Sequence, residues 1–337
     1  MDIITGTSDF QLHNTPSAVA IGKFDGVHLG HQRLLQVLMA QKRQGLKTVI
    51  FTFDPSPAEL FSGKMIPGLS TREEKRRIFE KAGVDVVLEF PLTKESAAMA
   101  PEDFVREILC EKLCAECIVA GADVSFGAGG RGDISLLQHM APKLGYSIRV
   151  VEKVTVENAV VSSTRIRQAV EKGAMEEAAS LLGTPYSIGG EVVHGNRLGR
   201  TLSMPTINVP IPAEKLVPPF GVYYSEVQIL GEHNENAPAV SDNKSPERSE
   251  VRSFHGITNI GKKPTVGDYE VGAETFLYGF AGDLYGKEVK VELLSFRRPE
   301  RKFETLDDLQ AQLMEDKDAG RVFFDTAIRQ KKTPFCK

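Results

Sequence analysis

The sequence has no tryptophan, few aromatic residues and little net charge. Aromatic residues make up 7% of its 337 residues, and 41 basic residues nearly balance 45 acidic ones, which leaves a net charge of −4. Proteins that bind nucleic acids generally carry an excess of basic residues, so this balance argues against a nucleic-acid partner. No apolar run approaches the roughly 18 residues that a membrane-spanning helix needs, so we expect no membrane partner either.

Cysteine is also scarce. Three of the four cysteines lie within residues 110–117, which does not resemble a disulfide framework. The first ten residues, MDIITGTSDF, include two acids and no basic region, so they do not resemble a signal peptide. At roughly 150 residues per domain, the length predicts about two domains. These features predict a cytoplasmic two-domain protein and leave its oligomeric state open.

Residues 1–183 alternate short β-branched runs with helical stretches. We predict strands at 17–21, 47–53, 84–90, 116–120 and 147–154. The helices predicted between and after them are 32–44, 72–82, 101–113, 134–144 and 164–182. Strands that alternate with helices of this length are typical of a doubly wound α/β domain with a parallel sheet.

Residues 184–337 have a different pattern. Short apolar runs recur between turn signals, and long helical periodicity is absent until residues 306–324. This pattern predicts a small antiparallel β-barrel or sandwich with a closing helix. Within this second domain, the polar stretch 231–253 has no Phe, Tyr or Trp, so we predict that it is a mobile loop.

The segment GKFDGVHLGH begins at Gly22, directly after the first predicted strand. Its glycines permit a tight turn and leave space for a ligand against the backbone. A helix that starts near His28 would direct its N-terminal amides at an anion. His28 and His31 lie three residues apart and could donate hydrogen bonds to a phosphate. A zinc pair or two surface histidines are the alternatives, but no third metal ligand is nearby, and the glycines favour a phosphate site.

A second segment, SSTRIR, begins at Ser162 and precedes a predicted helix. Its hydroxyl groups can cap that helix, and its two arginines can bind phosphates. A helix cap followed by solvated arginines explains the same residues, and the segment taken alone favours that simpler interpretation.

Two other patterns suggest different chemistry. Cys110, Cys114 and Cys117 have the spacing of an iron–sulfur motif. We predict instead that they lie on one stripe of an amphipathic helix, as buried thiols. Residues 127–132 read GAGGRG, a formal dinucleotide-binding fingerprint, although the preceding strand is predicted to stop near Ala120. An NAD-dependent oxidoreductase therefore remains the alternative function.

The second domain has its own candidate site. The glycine-spaced loop from Gly195 to Arg200 can wrap phosphates with backbone amides and arginines. Thr206 and Asn208, in the segment PTIN, offer the hard oxygen donors that Mg²⁺ prefers. A turn followed by a strand, with its polar groups bonded to the backbone, is the simpler explanation of PTIN.

Taken together, these segments resemble a known family. GKFDGVHLGH, TFDPSP, GADVSFG and SSTRIR resemble the adenylyltransferase module of bacterial bifunctional riboflavin kinase/FMN adenylyltransferases, a member of the HxGH nucleotidyltransferase group. GVYYSEV, NIGKKPT, AETFLYGFAGDLYGK and FRRPERKF resemble the riboflavin kinase module of the same family. The resemblance implies a Rossmann-like nucleotidyltransferase domain at 1–183 and a riboflavin kinase-like barrel at 184–337. ATP, riboflavin and FMN would be its small-molecule substrates.

The resemblance also implies roles for individual residues. Those expected to cradle ATP are Gly22, Phe24, Asp25, His28, Gly30 and His31, with Ser163, Thr164 and Arg165 on the other side of its phosphates. Those expected near the flavin are Pro55, Pro57, Asp123 and Phe126. In the second domain, Thr206 and Asn208 would bind the Mg·ATP complex, and Glu274 would be the general base on the riboflavin 5′-hydroxyl.

Some points stay open at this level. Glu274 could equally be a surface glutamate on an edge strand, and Arg297 and Arg298 either close over the active site or are solvated. The sequence departs from the family pattern at Ser56, Val124 and Ser203. These departures leave a non-catalytic flavin-binding module as a further hypothesis.

Overall fold

The computed structural model describes residues 1–195, 204–233, 251–262 and 271–332. Its contacts divide the chain into two compact units. The first unit consists of Met1–Ile166, Leu181–Gly183 and Glu214–Leu216. The second consists of Arg167–Ser180, Thr184–Ala213 and Val217–Lys337.

The first unit is built on a six-stranded sheet in which every pairing is parallel. Its strands are β1 (Asp2–Thr5), β2 (Ser17–Ile21), β3 (Lys47–Asp54), β4 (Val86–Pro91), β5 (Ala115–Gly121) and β6 (Ser147–Val151). They are arranged in the order β1-β4-β3-β2-β5-β6. The predicted parallel α/β fold is therefore confirmed.

Helices cover this sheet because its central strands are apolar on both faces. On β3, Val49 and Phe51 belong to one buried cluster and Ile50 to another. The helices are α1 (Leu29–Lys42), α2 (Pro57–Ser62), α3 (Arg72–Ala82), α4 (Pro101–Asp103), continued by a π-helical segment (Phe104–Lys112), and α5 (Ile134–Leu144). Strands that are buried on both faces have the near-continuous apolar runs that the sequence shows.

Several short elements in residues 1–183 differ from the prediction. Strand β1, helix α2 and a hairpin formed by β7 (Thr155–Val156) and β8 (Ala159–Val160) were not expected. The long helix predicted at 164–182 is two helices, α6 (Ser163–Glu171) and α7 (Met175–Leu182). Gly173 lies between them with a φ of 74°, a left-handed conformation that ends the first helix.

The second unit is an antiparallel β-barrel, as predicted. Its strands are β9 (Tyr186–Glu191), β10 (Thr206–Pro210), β11 (Gly221–His233), β12 (Val251–Lys262), β13 (Val271–Leu277) and β14 (Glu288–Pro299). They are ordered β10-β13-β12-β11-β14-β9. Just beyond β9, Val193 pairs with Asn208 of β10, which joins the two ends of the sheet.

The predicted closing helix is α8 (Leu306–Lys332). Aromatic side chains hold it on the barrel: Phe323 stacks on Tyr224, and the Phe324 ring lies 4.1 Å from that of His255. The predicted bounds of the loop at 231–253 are wrong at both ends, because β11 continues to His233 and β12 begins at Val251. The remainder of that stretch lies outside the described residues.

Candidate active sites

The loop between β2 and α1 has a shape that its glycines make possible. Phe24 adopts a left-handed conformation with a φ of 52°, and its ring is fully buried. A Cβ atom at Gly22 would lie 3.0 Å from that ring, and one at Gly30 would lie 3.1 Å from the imidazole of His28. Both positions are therefore tightly packed against a side chain of the same loop, which favours glycine there and places the backbone and the two histidines in one compact turn.

The two histidines lie against each other at the start of α1. His28 is the N-cap residue, and its Nδ1 accepts a hydrogen bond from the backbone N–H of His31 at 3.4 Å. The two imidazole rings stack with centroids 3.8 Å apart. Phe24 contacts the His31 ring at a centroid distance of 5.2 Å. The predicted placement of the pair at a helix N-terminus is therefore found.

Both imidazoles are held in the neutral form. Burial lowers the pKa of His28, while the nearby carboxylates of Asp25 and Asp123 oppose that shift. Burial, together with the charges of His28 and Lys75, lowers the pKa of His31 from 6.5 to about 3. Nδ1 of His31 is buried without a hydrogen-bond partner within the part of the chain that the structure describes. A buried polar atom of this kind is costly unless a ligand satisfies it.

We expect the side chain of His31 to show no titration between pH 5 and 8. Its lowered pKa keeps the ring neutral across this range, because protonation would place a positive charge in a buried site beside Lys75. Histidine side-chain NMR spectra of the ligand-free protein, recorded across the range, test this. The His31→Asn variant identifies the resonance, and a midpoint near pH 6.5 at that resonance would contradict the expectation.

Asp25 connects three segments of the chain. Its Oδ1 accepts the backbone N–H of Leu69 at 2.7 Å, and its backbone carbonyl accepts the hydroxyl of Ser163 at 3.0 Å. The loop after β2, the segment before α3 and the start of α6 therefore meet at this residue. The structure therefore brings Ser163 of the SSTRIR segment to the histidine loop.

The residues of SSTRIR are used in different ways. The hydroxyl of Ser162 caps α6 by accepting the N–H of Arg165 at 3.3 Å, and Thr164 is exposed. The Arg165 guanidinium donates to the carbonyls of Val156 and Ala159 in the β7–β8 hairpin. Arg165 thus holds this hairpin against the start of α6, in addition to the phosphate role expected for it.

The four residues expected near the flavin have different environments. Pro55 is exposed after β3, and Pro57 is half-buried at the first position of α2. Asp123 is exposed and pairs with Lys153 at 3.1 Å. Phe126 is only 3% exposed and packs on Phe104, so its side chain is part of the hydrophobic core.

The glycine-rich segment 127–132 does not have the geometry of a dinucleotide fingerprint. Strand β5 ends at Gly121, well before Gly127, and Phe126 pairs with Gly132 to close a tight turn. In a true fingerprint the strand runs almost directly into the first glycine. The alternative of an NAD-dependent oxidoreductase therefore has no support.

The prediction that three cysteines share one helical stripe is wrong. Cys110 lies in the π-helical segment, Cys114 follows its end with a φ of 50°, and Cys117 is buried in β5. The helix ends at Lys112, close to the predicted end at 113, so the stripe cannot reach Cys114 or Cys117 before the chain turns into β5. Burial raises the pKa of the Cys110 thiol to about 11 and also raises that of Cys117. Within the described ranges, no group of three His, Cys, Asp or Glu side chains could hold a metal ion.

In the second unit, the predicted site residues lie on neighbouring strands. Thr206 on β10 donates its hydroxyl to Oε1 of Glu274 on β13 at 2.8 Å, and Asn208 lies directly opposite Glu274 in the strand register. Strand β13 lies between β10 and β12, so Glu274 is on an interior strand rather than an edge strand. Thr206, Asn208 and Glu274 alternate with core residues and therefore lie on one face of the sheet.

The chain that leaves β9 passes close over this face. A Cβ atom at Gly195 would collide with the amide group of Asn208, so any larger residue there would displace that side chain. The backbone N–H of Val193 donates to the carbonyl of Asn208 at 2.9 Å. Arg200 and Ser203 lie outside the described residues.

Two residues without an expected role also lie at these sites, one in the barrel and one beside the histidine loop. Asn259 on β12 lies opposite Glu274 and donates to Glu300 at 3.3 Å. Lys75 on α3 is close enough to His31 for its charge to affect that pKa. Asn259 lies in the NIGKKPT segment, whereas Lys75 had no recognisable signal, because only folding brings α3 to the histidine loop.

Arg297 and Arg298 are bound to α8 rather than solvated. Both guanidinium groups pair with Asp316, at 2.7 Å and 2.6 Å, and the Asp316 side chain is only 2% exposed. Burial alone would raise the pKa of Asp316, but hydrogen bonds from Arg298 and Arg297 outweigh it and lower the pKa below 3.8. This buried carboxylate therefore fixes α8 to β14.

We expect Asp316→Asn to lower the free energy of unfolding by about 3 kcal/mol at pH 7, because it removes the buried counter-charge of two partly buried guanidinium groups and leaves Arg297 only the exposed Glu315. Urea unfolding followed by circular dichroism measures this. Since the folded-state pKa is lowered, the contribution is complete above about pH 4 and is lost as the pH falls below that value. Asp318→Asn, which removes an exposed carboxylate of the same helix, is the matched control and should change little. Equal effects of the two variants would contradict the assignment.

The folds and sites define a two-part nucleotide-dependent transferase, with a histidine loop in a parallel α/β unit and a Thr–Glu pair in a β-barrel. Family models for FAD synthetase and riboflavin kinase match residues 10–165 and 182–324. The chain belongs to the bifunctional riboflavin kinase/FMN adenylyltransferase family. Relatives with that description include one from Escherichia coli strain K12, which is 36% identical over 93% of this chain and 96% of its own length. Another, from Haemophilus influenzae, is 32% identical over 97% of this chain and 100% of its own length.

A solved structure has the same fold. The crystal structure of a protein described as a macrolide-efflux protein from Streptococcus pneumoniae is 28% identical to this chain, with a TM-score of 0.76. The match covers 95% of this chain and 98% of that one. Among the helices that the structure describes, none has the length and apolar character needed to cross a membrane.

Proposed function

We propose that this protein makes FAD from riboflavin in two steps, with phosphoryl transfer in residues 184–337 and adenylyl transfer in residues 1–183. One observation carries the proposal: each unit holds its own group of polar residues suited to a nucleotide. The histidine pair lies in the first unit, with a buried nitrogen that has no partner among the described residues, and the Thr206–Glu274 pair lies in the second.

In the first step, the 5′-hydroxyl oxygen of riboflavin attacks the γ-phosphorus of ATP, and ADP leaves. Glu274 accepts the hydroxyl proton, because a primary alcohol is a weak nucleophile until that proton can leave. The hydrogen bond from Thr206 orients the carboxylate, as a general base requires. Gly195 leaves the backbone free to approach a phosphate beside Asn208.

The donor set of this site is compatible with magnesium. Thr206 and Asn208 supply hard oxygen atoms on adjacent positions of one sheet face, and protein sites for Mg²⁺ typically combine few protein oxygens with substrate phosphates. When bound, the ion would neutralise charge on the phosphates of ATP. Thr206 and Asn208 are the residues that we propose hold the Mg·ATP complex.

In the second step, a phosphate oxygen of FMN attacks the α-phosphorus of another ATP molecule, and pyrophosphate leaves. His28 and His31 donate hydrogen bonds to the phosphates as charge develops, and the N-terminus of α1 adds its favourable dipole. Each neutral imidazole can donate one hydrogen bond, from the ring nitrogen that carries its hydrogen. Gly22, Phe24, Asp25 and Gly30 shape the loop.

We assign the remaining predicted contacts to the same adenylyl-transfer site. Ser163, Thr164 and Arg165 would bind phosphate. The residues proposed near the flavin remain Pro55, Pro57, Asp123 and Phe126, the last as a residue of the hydrophobic core. We also propose that the protein is cytoplasmic. The described cysteines are free thiols, as expected in a reducing compartment.

Chromatography of the products made from riboflavin and MgATP by the purified protein tests the proposal. We expect FMN to appear first and FAD to follow. Absence of FMN would exclude riboflavin phosphorylation, and FMN that accumulates without FAD would exclude adenylyl transfer. Stabilisation against heat by NADH but not by ATP would favour the oxidoreductase instead.

A further inference from the structure

A short segment far along the chain is built into the first unit. Residues Glu214–Leu216 follow β10 in the sequence and lie within the range that the riboflavin kinase model matches. Their contacts nevertheless place them in the first unit. The N–H of Gly68 donates to the carbonyl of Glu214 at 2.7 Å, and the N–H of Leu216 donates to the carbonyl of Gly68 at 2.8 Å.

Lys215, at the centre of this segment, is a buried cation. It is 3% exposed, and its Nζ donates to the carbonyl of Leu69 at 2.8 Å and to Oε2 of Glu74 at 2.6 Å. The same carboxylate accepts the N–H of Thr71 and so caps α3. A buried ammonium group must be fully paired, so these contacts fix its position closely.

Leu69 connects this cation to the histidine loop. Its carbonyl is bound by Lys215, and its N–H is bound by the carboxylate of Asp25 at 2.7 Å. Its side chain is 1% exposed and packs against Gly26, where an added Cβ atom would lie only 3.0 Å from a methyl group of Leu69. Asp25 lies three residues before His28 in the same turn. A shift of Leu69 would therefore move the backbone that carries His28.

We infer that Lys215 is a positioning residue for adenylyl transfer, because it holds Leu69, and through Leu69 the Asp25 carboxylate and the His28 loop. This inference rests on the proposed function of the first unit. It goes further by assigning part of that site to a residue in the sequence range of the kinase module. Lys215 touches no reacting atom; it sets the geometry of groups that do.

The test uses the full-length Lys215→Met variant, which keeps the length of the side chain and removes its charge. With FMN and MgATP supplied, we expect kcat for FAD formation to fall by about ten-fold, with KM changing by less than about two-fold, since a misplaced catalytic loop affects the transition state most. Phosphorylation of riboflavin should continue at the wild-type rate. The side-chain NMR resonance of His28 should shift in the ligand-free variant.

Lys42→Met is the matched control. Lys42 makes the same kind of contacts, to a backbone carbonyl and a carboxylate, at Gly83 and Asp85. It lies at the opposite end of α1 from the histidines, so we expect unchanged FAD formation and an unchanged His28 resonance. The Lys42 side chain is 43% exposed and that of Lys215 is 3% exposed, so Lys42→Met shows what the loss of such a contact does away from the histidine loop, and a second variant controls for the buried charge.

A double variant separates charge balance from positioning. Glu74→Gln combined with Lys215→Met removes both charges of the ion pair, so no unpaired carboxylate remains and the variant should fold even if Lys215→Met does not. If Lys215 positions Leu69, the double variant remains defective in FAD formation and retains the shifted His28 resonance. Wild-type FAD formation together with a wild-type His28 resonance in a folded variant would overturn the inference. If the wild-type protein made no FAD, the proposed function would fail, while the His28 resonance would still test the link to Lys215.

Discussion

FAD formation from FMN and MgATP should fall by about 100- to 1,000-fold in the His31→Ala variant, while FMN formation from riboflavin stays at the wild-type rate. The reason lies in the neutral, buried imidazole, whose Nδ1 has no hydrogen-bond partner among the described residues. A phosphate oxygen that meets this ring gains a hydrogen bond that strengthens as charge builds up during transfer. Alanine cannot provide it.

Both activities can be measured in one preparation by supplying riboflavin or FMN separately. His139→Ala is the control, because His139 is an exposed histidine of the same unit that contacts Lys143. It should leave both rates unchanged. Loss of FMN formation in a well-folded His31→Ala protein would show that the two activities do not have separate sites.

The second large effect is expected in the β-barrel. Glu274→Gln should slow FMN formation by about 100- to 10,000-fold and leave the conversion of supplied FMN to FAD unaffected. Glutamine keeps the shape of the side chain and the oxygen that accepts the Thr206 hydroxyl, but it cannot take up the proton of the 5′-hydroxyl. The loss would therefore reflect basicity rather than packing.

Glu191→Gln provides the comparison, since Glu191 is an exposed glutamate at the end of β9 in the same barrel. We expect wild-type rates for both reactions in this variant. If Glu274→Gln phosphorylates riboflavin as fast as Glu191→Gln does, another group must act as the base.

Local sequence patterns predicted the long elements of the fold well and the short ones poorly. The runs that became β2, β3 and β5 are apolar and β-branched, so their strand character is visible without any partner. Strand β1 has only four residues and is mostly exposed, so its strand character depends on pairing with β4. The break between α6 and α7 falls at one glycine within otherwise continuous helical periodicity, and periodicity alone does not show it.

The candidate sites were predictable where the motif itself carries the geometry. Gly22 and Gly30 are tightly packed within the loop, and the alternation of Thr206 and Asn208 places both on one face of a strand. Contacts between distant segments could not be predicted in this way. The hydrogen bonds that Arg297 and Arg298 donate to Asp316, and the one that Lys215 donates to Leu69, join residues that no local pattern relates.

The helix cap at His28 also determines which of its nitrogens carries the proton. Because Nδ1 accepts the N–H of His31, the neutral ring must bear its hydrogen on Nε2. The tautomer is therefore set by the first turn of α1 before any nucleotide arrives. Protonation of Nδ1 in acid would remove both the preference for this tautomer and the hydrogen bond that caps α1. The hydrogen-bonding direction of His28 and the integrity of the helix end thus depend on a single proton.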